Sequence, residues 1–180
     1  MRKWLEKEPV GAWQHFTTAH TVFSLDLAIV LLFGSIIAVF TGGPDDDNVN
    51  VLILEAFTER LLRDPLGTTY LLAKAALIEE IVFRGIPLHL AVLFSHGRWG
   101  FITPVALVSS FVFGWGHGGW EGIFLQGFGG LLYCGLFLKC GGLRGRILRP
   151  LAMCWAIHLT WNGMELGIAI AGSAITAALP

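Results

Sequence analysis

Long apolar runs separated by short polar stretches dominate the chain. A helix of ~20 apolar residues is long enough to cross the hydrocarbon layer of a bilayer. Runs of about this length occur at Val22 to Phe40, Thr68 to Phe94, Phe101 to His117, Gly122 to Leu138, and from Pro150 nearly to Pro180. The pattern therefore predicts an all-α fold, a polytopic transmembrane helix bundle of about five spans.

Two other segments mix polar and apolar residues and are predicted to be interfacial. Residues 1–20 place Trp and Phe among charged side chains, which is typical of the headgroup region. Val51 to Arg63 follows an acidic loop, residues 45–47, and predicts a short helix that lies on the membrane or on the other helices. Asp26, near the start of the first apolar run, is expected to stay at the interface.

Composition also indicates an integral membrane protein with membrane lipid around it. Of the 180 residues, 54% are hydrophobic and 14% are charged, whereas a soluble domain has ~25% charged residues. The net charge of −1 and the absence of a long basic cluster argue against a nucleic-acid partner. The first apolar run is too long for a signal-peptide core, so we expect it to be retained. No repeat or linker divides residues 1–180, which predicts a single domain.

Lysine and arginine are unevenly distributed among the polar segments. The N-terminus and the loops at residues 95–100 and 139–149 hold most of them, whereas residues 42–68 hold Arg60 and Arg63 beside six of the 13 acids. Cytoplasmic loops carry the excess of Lys and Arg in membrane proteins. The distribution predicts a cytoplasmic N-terminus, in what we expect to be a bacterial inner membrane.

The cysteines, the glycines of the fourth run and one proline are interpreted as structural residues rather than as site residues. The three cysteines have neither a CxxC nor a Cys/His spacing, so they are interpreted as small core or lipid-facing residues. Pro87 is expected to kink the second span because it lacks an N–H group. The glycines of the fourth run predict close helix packing. The cysteines are Cys134, Cys140 and Cys154, and the glycines are Gly127, Gly129, Gly130 and Gly135.

The second run contains an unusual group of charges, Glu79, Glu80 and Arg84. An ionised side chain at the centre of a span costs ~2.5 kcal/mol or more unless it finds partners or a wet cavity. Glu80 and Arg84 are four residues apart and share a helix face, so they predict a buried ion pair that braces the helices. Glu79 points about 100° away and is free to serve another purpose.

Two other runs carry polar groups at membrane depth. Phe113 precedes His117 by four residues near the end of the third run, and His158 precedes Asn162 by four in the fifth. Because i and i+4 residues share a face, His158 and Asn162 are predicted to present an imidazole and an amide together. We therefore expect these groups to converge with the glutamates on one wet cavity.

The convergent groups fit hydrolysis. Glu79 with His117 can hold and deprotonate a water, while His158 and Asn162 donate hydrogen bonds to an oxyanion. Glu80 and Arg84 would support them. A zinc ion held by Glu79, His117 and His158 is an alternative. A proton-coupled transporter or a non-catalytic membrane binding protein also remains open, because both classes place ionisable groups in mid-membrane.

The ordered motifs EExxxR, FxxxH and HxxxN, over about residues 68–165, resemble those of the CPBP family of intramembrane glutamate proteases. That family includes type II CAAX prenyl endopeptidases and bacteriocin-processing or Abi proteins. The resemblance implies catalysis by Glu79, His117, His158 and Asn162 without a cofactor. It also implies a protein or peptide substrate with a hydrophobic tail. The positions of His117 and Glu79 along their runs place the chemistry between mid-membrane and the outer leaflet. We therefore expect the protein to process C-terminal sorting segments of exported proteins, with CAAX-type or bacteriocin-leader processing as alternatives.

Overall fold

The computed structural model describes residues 2–41 and 49–178, which form helices joined by short turns. The acidic loop of residues 45–47 lies outside the described residues. Regular α-helices are α1 (Arg2–Glu6), α2 (Ala12–Thr41), α3 (Val49–Arg63), α4 (Pro65–Glu80), α5 (Ile86–Ser95), α6 (Trp99–Gly116), α7 (Gly119–Gly122), α8 (Phe128–Lys139) and α9 (Leu148–Ala178). The predicted all-α class is confirmed.

Each apolar run of the sequence forms helix. Within the described residues, Ala12–Ile36, Trp99–Gly116 and Gly119–Lys139 are long and apolar enough to cross a membrane. The second run forms α4, a π-helical segment (Ile81–Gly85) and α5 without interruption, and the fifth forms α9. The chain is thus an integral membrane helix bundle, in which the crossing of the charged second and fifth runs stays a prediction.

The first span begins earlier than the hydropathy pattern predicted. Helix α2 starts at Ala12, so much of the expected interfacial segment at residues 1–20 forms its first turns, and only α1 is a separate helix. The expected interfacial position of Asp26 is wrong, because Asp26 lies near the middle of the candidate span Ala12–Ile36; its side chain is buried in the bundle. Asp26 lies about 21 Å along α2 from Ala12 and packs against Gly129 of α8.

The π-helical segment explains how the second run accommodates a proline. Within it the Ile86 N–H donates to the Ile81 carbonyl, one residue further back than in an α-helix. Pro87 has no N–H to offer the carbonyl of Phe83. The Ser109 hydroxyl of α6 donates to that carbonyl instead. The predicted irregularity at Pro87 is therefore present, and π-segments of this kind are frequent at functional sites.

Several contacts place the basic segments on one side of the bundle. Glu8 lies 2.7 Å from both Arg144 and Arg146. Lys139 Nζ donates to the carbonyls of Trp4 and Lys7, at 2.7 and 2.8 Å. The N-terminal segment and the 139–149 loop therefore lie together, as the Lys and Arg distribution predicted.

The core lies where α2, α5, α6, α8 and α9 meet. Its most buried members include Leu88, Ile102, Leu136 and Phe137. All three cysteines are free and buried, which confirms their core interpretation; they are Cys134, Cys140 and Cys154. Gly130 allows the close packing expected of α8, because a Cβ there would lie 2.9 Å from the Arg84 guanidinium.

Candidate active site

Glu80 and Arg84 form the predicted ion pair at the centre of the bundle. Arg84 NH1 donates to Glu80 Oε1 at 3.0 Å, and both side chains are 0% exposed. The Arg84 guanidinium also lies over the Phe113 ring, with Cζ 4.1 Å from its centroid. A buried charge pair persists only when its geometry and additional contacts offset desolvation. Phe113 thereby ties α6 to the second run through the arginine.

Glu80 has a second partner, His158, which the sequence predicted to lie near the glutamates without specifying this bond. His158 Nδ1 of α9 donates to Glu80 Oε1 at 2.8 Å. The i, i+4 spacing accounted for Glu80 through Arg84 alone, and no local signal connects residues 78 positions apart. Glu80 therefore orients an imidazole as well as balancing Arg84.

Glu79 points away from this pair, as the helical geometry predicted. Its Oε2 lies 3.7 Å from His117 Nε2 and 3.5 Å from His158 Nε2. The Glu79 side chain is 31% exposed, in contrast to the buried Glu80. A half-exposed carboxylate beside two imidazoles can exchange protons with a water or a substrate.

The imidazoles of His117 and His158 are each oriented by a hydrogen bond at Nδ1, the nitrogen that does not face Glu79. His117 Nδ1 lies 2.7 Å from the Phe113 carbonyl, which can only accept, so Nδ1 carries the proton. His158 Nδ1 is held by Glu80 in the same way. The partner of one ring nitrogen decides the role of the other. Both Nε2 atoms are thus directed to the Glu79 carboxylate and available for chemistry.

The turn after α6 fixes the position of His117. His117 caps the C-terminus of the helix, and Gly118 and Gly119 follow with φ of 146° and 63°. Residues with a Cβ rarely adopt these values, so the two glycines end the helix at this point. The imidazole therefore projects from a helix end rather than from mid-helix, and the Phe113 carbonyl one turn back orients it.

Asn162 lies beside the two imidazoles in a cavity of about 190 Å³, which neither Glu79 nor Glu80 lines, so their predicted convergence with Asn162 on one cavity stays a prediction. His117, His158 and Asn162 line this cavity together. Asn162 follows His158 by one turn of α9, as the spacing predicted. The cavity also has walls that the sequence did not assign to the site: Asp26, Val30, Leu125, Gln126, Gly129, Gly130, Tyr133, Trp161 and Glu165. These residues come from helices whose mutual packing no local pattern reveals.

A larger groove lies elsewhere. It encloses about 780 Å³ between α2 and α9. Most of its lining is apolar, and its polar side chains include His15, His20 and Arg149. None of the motif residues borders it. The smaller cavity is the better candidate, because convergent polar groups rather than volume mark a reactive site.

The structure gives no ready metal centre in the part of the chain that it describes. There, no group of three or more His, Cys, Asp or Glu side chains is arranged so that it can hold a metal ion. Chelation therefore has to decide between a metal-free reaction and the zinc alternative.

The comparison with known families covers the same part of the chain as this site. Residues 63–164 match the Rce1-like family, described as type II CAAX prenyl endopeptidases. The matched range covers more than half of the chain and includes the three motifs that build the site. No curated protein and no solved structure matches the chain. The chain belongs to the Rce1-like family of type II CAAX prenyl endopeptidases and is an integral membrane endopeptidase.

Proposed function

We propose that the protein hydrolyses a peptide bond near the membrane end of a hydrophobic substrate tail, using a water activated by Glu79. The Glu79 carboxylate takes a proton from this water as it attacks the peptide carbonyl, and His117 helps to hold the water. Asn162 donates a hydrogen bond to the oxyanion of the tetrahedral intermediate. His158 donates through Nε2 when both of its ring nitrogens carry protons, because Nδ1 donates to Glu80. The proton on Glu79 then passes to the leaving amine, so the carboxylate is regenerated.

The observation that carries this proposal is the position of Glu79 Oε2, 3.7 Å from His117 Nε2 and 3.5 Å from His158 Nε2. Three groups from three separate helical segments converge there, and Glu80 and the Phe113 carbonyl hold the imidazoles from behind. A water between these groups would find both a base and hydrogen-bond partners. A non-catalytic protein has no need of such a convergence.

The mechanism is tested with purified protein and a fluorogenic peptide in detergent micelles. We expect Glu79→Ala to abolish cleavage while the protein remains folded, and His117→Ala to do nearly the same. The reaction should persist in a strong chelator. Cleavage by Glu79→Ala would refute the mechanism, and loss of activity in chelator with recovery in zinc would support the zinc alternative.

The depth of the site bears on the substrate. Trp99, at the start of α6, interacts with Glu6 of the basic side, and His117 lies at the other end of this helix of about 27 Å. Glu79 lies about 21 Å beyond the start of α4, which is deep inside a hydrocarbon layer of about 30 Å. His158, about 15 Å into α9 from Leu148, places the chemistry nearer to mid-membrane. We therefore infer a site between the middle of the membrane and the side opposite the basic segments.

If the basic side is cytoplasmic, as positive charge predicts, the site opens outward. We propose that the substrate is then the C-terminal sorting segment of an exported protein, in a bacterial inner membrane. The family match favours CAAX-type processing as a second candidate. Proteomics of cells with the active protein and with Glu79→Ala separates the two. Surface proteins that keep their hydrophobic tails support the first, whereas uncleaved cytosolic prenylated proteins support the second.

A further inference from the structure

The cavity at Asn162 holds two carboxylates that the proposed mechanism does not use. Glu165 follows His158 and Asn162 at i+7 and i+3, so it continues the same face of α9 by a further turn. Asp26 enters the cavity from α2 on the other side. Glu165 is exposed, whereas Asp26 is 4% exposed. The two acids therefore stand at different depths of one cavity.

Neither acid has a cationic partner among the described residues. No salt bridge within 4.0 Å joins Asp26 or Glu165 to a basic side chain there, and Asp26 Oδ1 is buried without a hydrogen-bond partner. Glu165 Oε1 accepts from Trp161 Nε1 at 2.8 Å, which orients the carboxylate but does not neutralise it. Tyr133 interacts with the Asp26 carboxyl group through its side chain but does not neutralise it. A buried carboxylate is costly until a cation reaches it.

Each basic group that faces these acids also lies close to a glutamate. Arg84 lies within electrostatic reach of Asp26, and its NH1 is bonded to Glu80, whereas its Nε and NH2 are buried without a hydrogen-bond partner. His117 and His158 act on Glu165 from a distance, and both contact Glu79. The cavity thus contains more negative than positive side-chain charge.

The shape of the cavity, like its charge, favours a cationic ligand. Gly129 lets the Asp26 carboxyl approach α8 closely, because a Cβ at that position would lie 2.7 Å from Oδ1. Trp161 and Tyr133 line the walls, and aromatic faces attract cations. A Lys or Arg side chain brings an apolar stem for these walls and a charged head for the acids.

We propose that Asp26 and Glu165 form a subsite for a cationic group of the substrate, a Lys or Arg side chain close to the scissile bond. This inference rests on the proposed function, because it places the subsite beside the proposed oxyanion donors. It narrows the substrate class to hydrophobic tails that carry a basic residue at the cleavage region. The acids offset the cost of bringing that cation to membrane depth.

The test measures binding without requiring catalysis. In the Glu79→Gln protein in detergent micelles, affinities are compared for hydrophobic peptides of about 20 residues that differ at one position, which is Lys, norleucine or Glu. The position is scanned along the peptide. At one position we expect the Lys peptide to bind about tenfold more tightly than the norleucine peptide, the scale of one hydrogen bond to a charged group.

Further substitutions in the Glu79→Gln protein then test whether the two acids cause the preference for the Lys peptide. Glu165→Gln and Asp26→Asn, alone and together, should reduce the ratio of Lys to norleucine affinity toward one, and Glu165→Lys should favour the Glu peptide. Glu59→Gln is the matched control, because Glu59 is 73% exposed and pairs with Arg63 outside the cavity; it should keep the full ratio. Unfolding midpoints identify variants that fail to fold, and the remaining variants carry the test.

Equal affinity for the Lys and norleucine peptides at every position, or a ratio unchanged in the folded acid variants, would overturn the subsite. Absence of any peptide binding would overturn it as well. A retained Lys preference with no cleavage of any peptide by the unsubstituted protein would instead contradict the proposed function and leave the subsite in place.

Discussion

Glu79 and Glu80 are neighbours in the chain, yet they belong to two regions of opposite character. The Glu80 region, with Arg84 and Phe113, is buried, and its charges are matched by contacts at 3.0 Å and 2.8 Å. The Glu79 region is half-exposed, and its contacts to the two imidazoles are looser, at 3.5 and 3.7 Å. A rotation of about 100° between consecutive helix residues separates a supporting carboxylate from a reactive one.

Rigidity and reactivity are thus divided between two faces of one helical segment. The buried face fixes the helix and, through His158, the imidazole of another helix. The open face keeps a carboxylate that can still meet water and substrate. Substitutions in the two regions should therefore affect different measurements.

The largest effect is expected from Glu79→Gln, which removes the base but keeps the shape. Turnover should fall by about 10⁴-fold, the upper range for a positioned general base. Stability should change by less than ~0.5 kcal/mol, because the side chain is half-exposed and not tightly paired. Peptide cleavage and thermal unfolding in detergent measure the two quantities. A lowered unfolding midpoint that accounts for the lost activity would remove the distinction between the regions.

Arg84→Ala tests the opposite region. It leaves Glu80 as a buried charge without its main partner, so we expect a loss of about 3–5 kcal/mol in stability. Arg63→Ala is the matched control, because Arg63 is 82% exposed in its pair with Glu59; it should cost at most ~1 kcal/mol. Equal unfolding midpoints for the two variants would contradict a supporting role for Arg84.

Asn162→Ala tests a second residue proposed to act beside Glu79. Loss of one oxyanion donor should lower kcat by about 10²- to 10³-fold with a smaller change in KM. Asn162→Asp, which keeps the size but not the amide donor, should behave similarly. Steady-state kinetics on one peptide provide the measurement. Turnover within a few-fold of the original would exclude Asn162 from the oxyanion site.

The smallest effect is expected where α4 and α9 are joined behind the site. Trp155 Nε1 donates to the Ala73 carbonyl at 2.8 Å. Trp155→Phe removes this hydrogen bond and should cost about 0.5–1.5 kcal/mol in stability. Turnover of the folded protein should fall only slightly, because neither region is altered directly. A large loss of turnover at unchanged unfolding midpoint would show that this contact sets the active geometry.

Spacing along one helix could be predicted from the sequence. The i, i+4 rule placed Arg84 on Glu80, and the same geometry turned Glu79 toward a different environment. The apolar runs likewise predicted helices close to those observed. Both inferences depend on local periodicity, which the sequence carries directly.

Contacts between helices could not be predicted in the same way. The Glu80–His158 bond joins residues from distant parts of the chain. Asp26 was assigned to the interface because hydropathy marks a late start of the first span, whereas α2 begins at Ala12 and places Asp26 against Gly129. Depth depends on where a helix starts and what it packs against, and neither is a local property. The roles of the motif residues in catalysis stay predictions.

The most direct test of the central claim, that Glu79 activates a water that attacks the peptide, is a single turnover in ¹⁸O-labelled water. Excess enzyme cleaves one peptide, and mass spectrometry locates the label. Direct attack by water predicts one ¹⁸O atom in the new carboxyl terminus of the product and none in the Glu79 side chain. Label in the Glu79 carboxyl group, or an acyl adduct on Glu79 in the quenched protein, would contradict the account and show covalent catalysis by this glutamate.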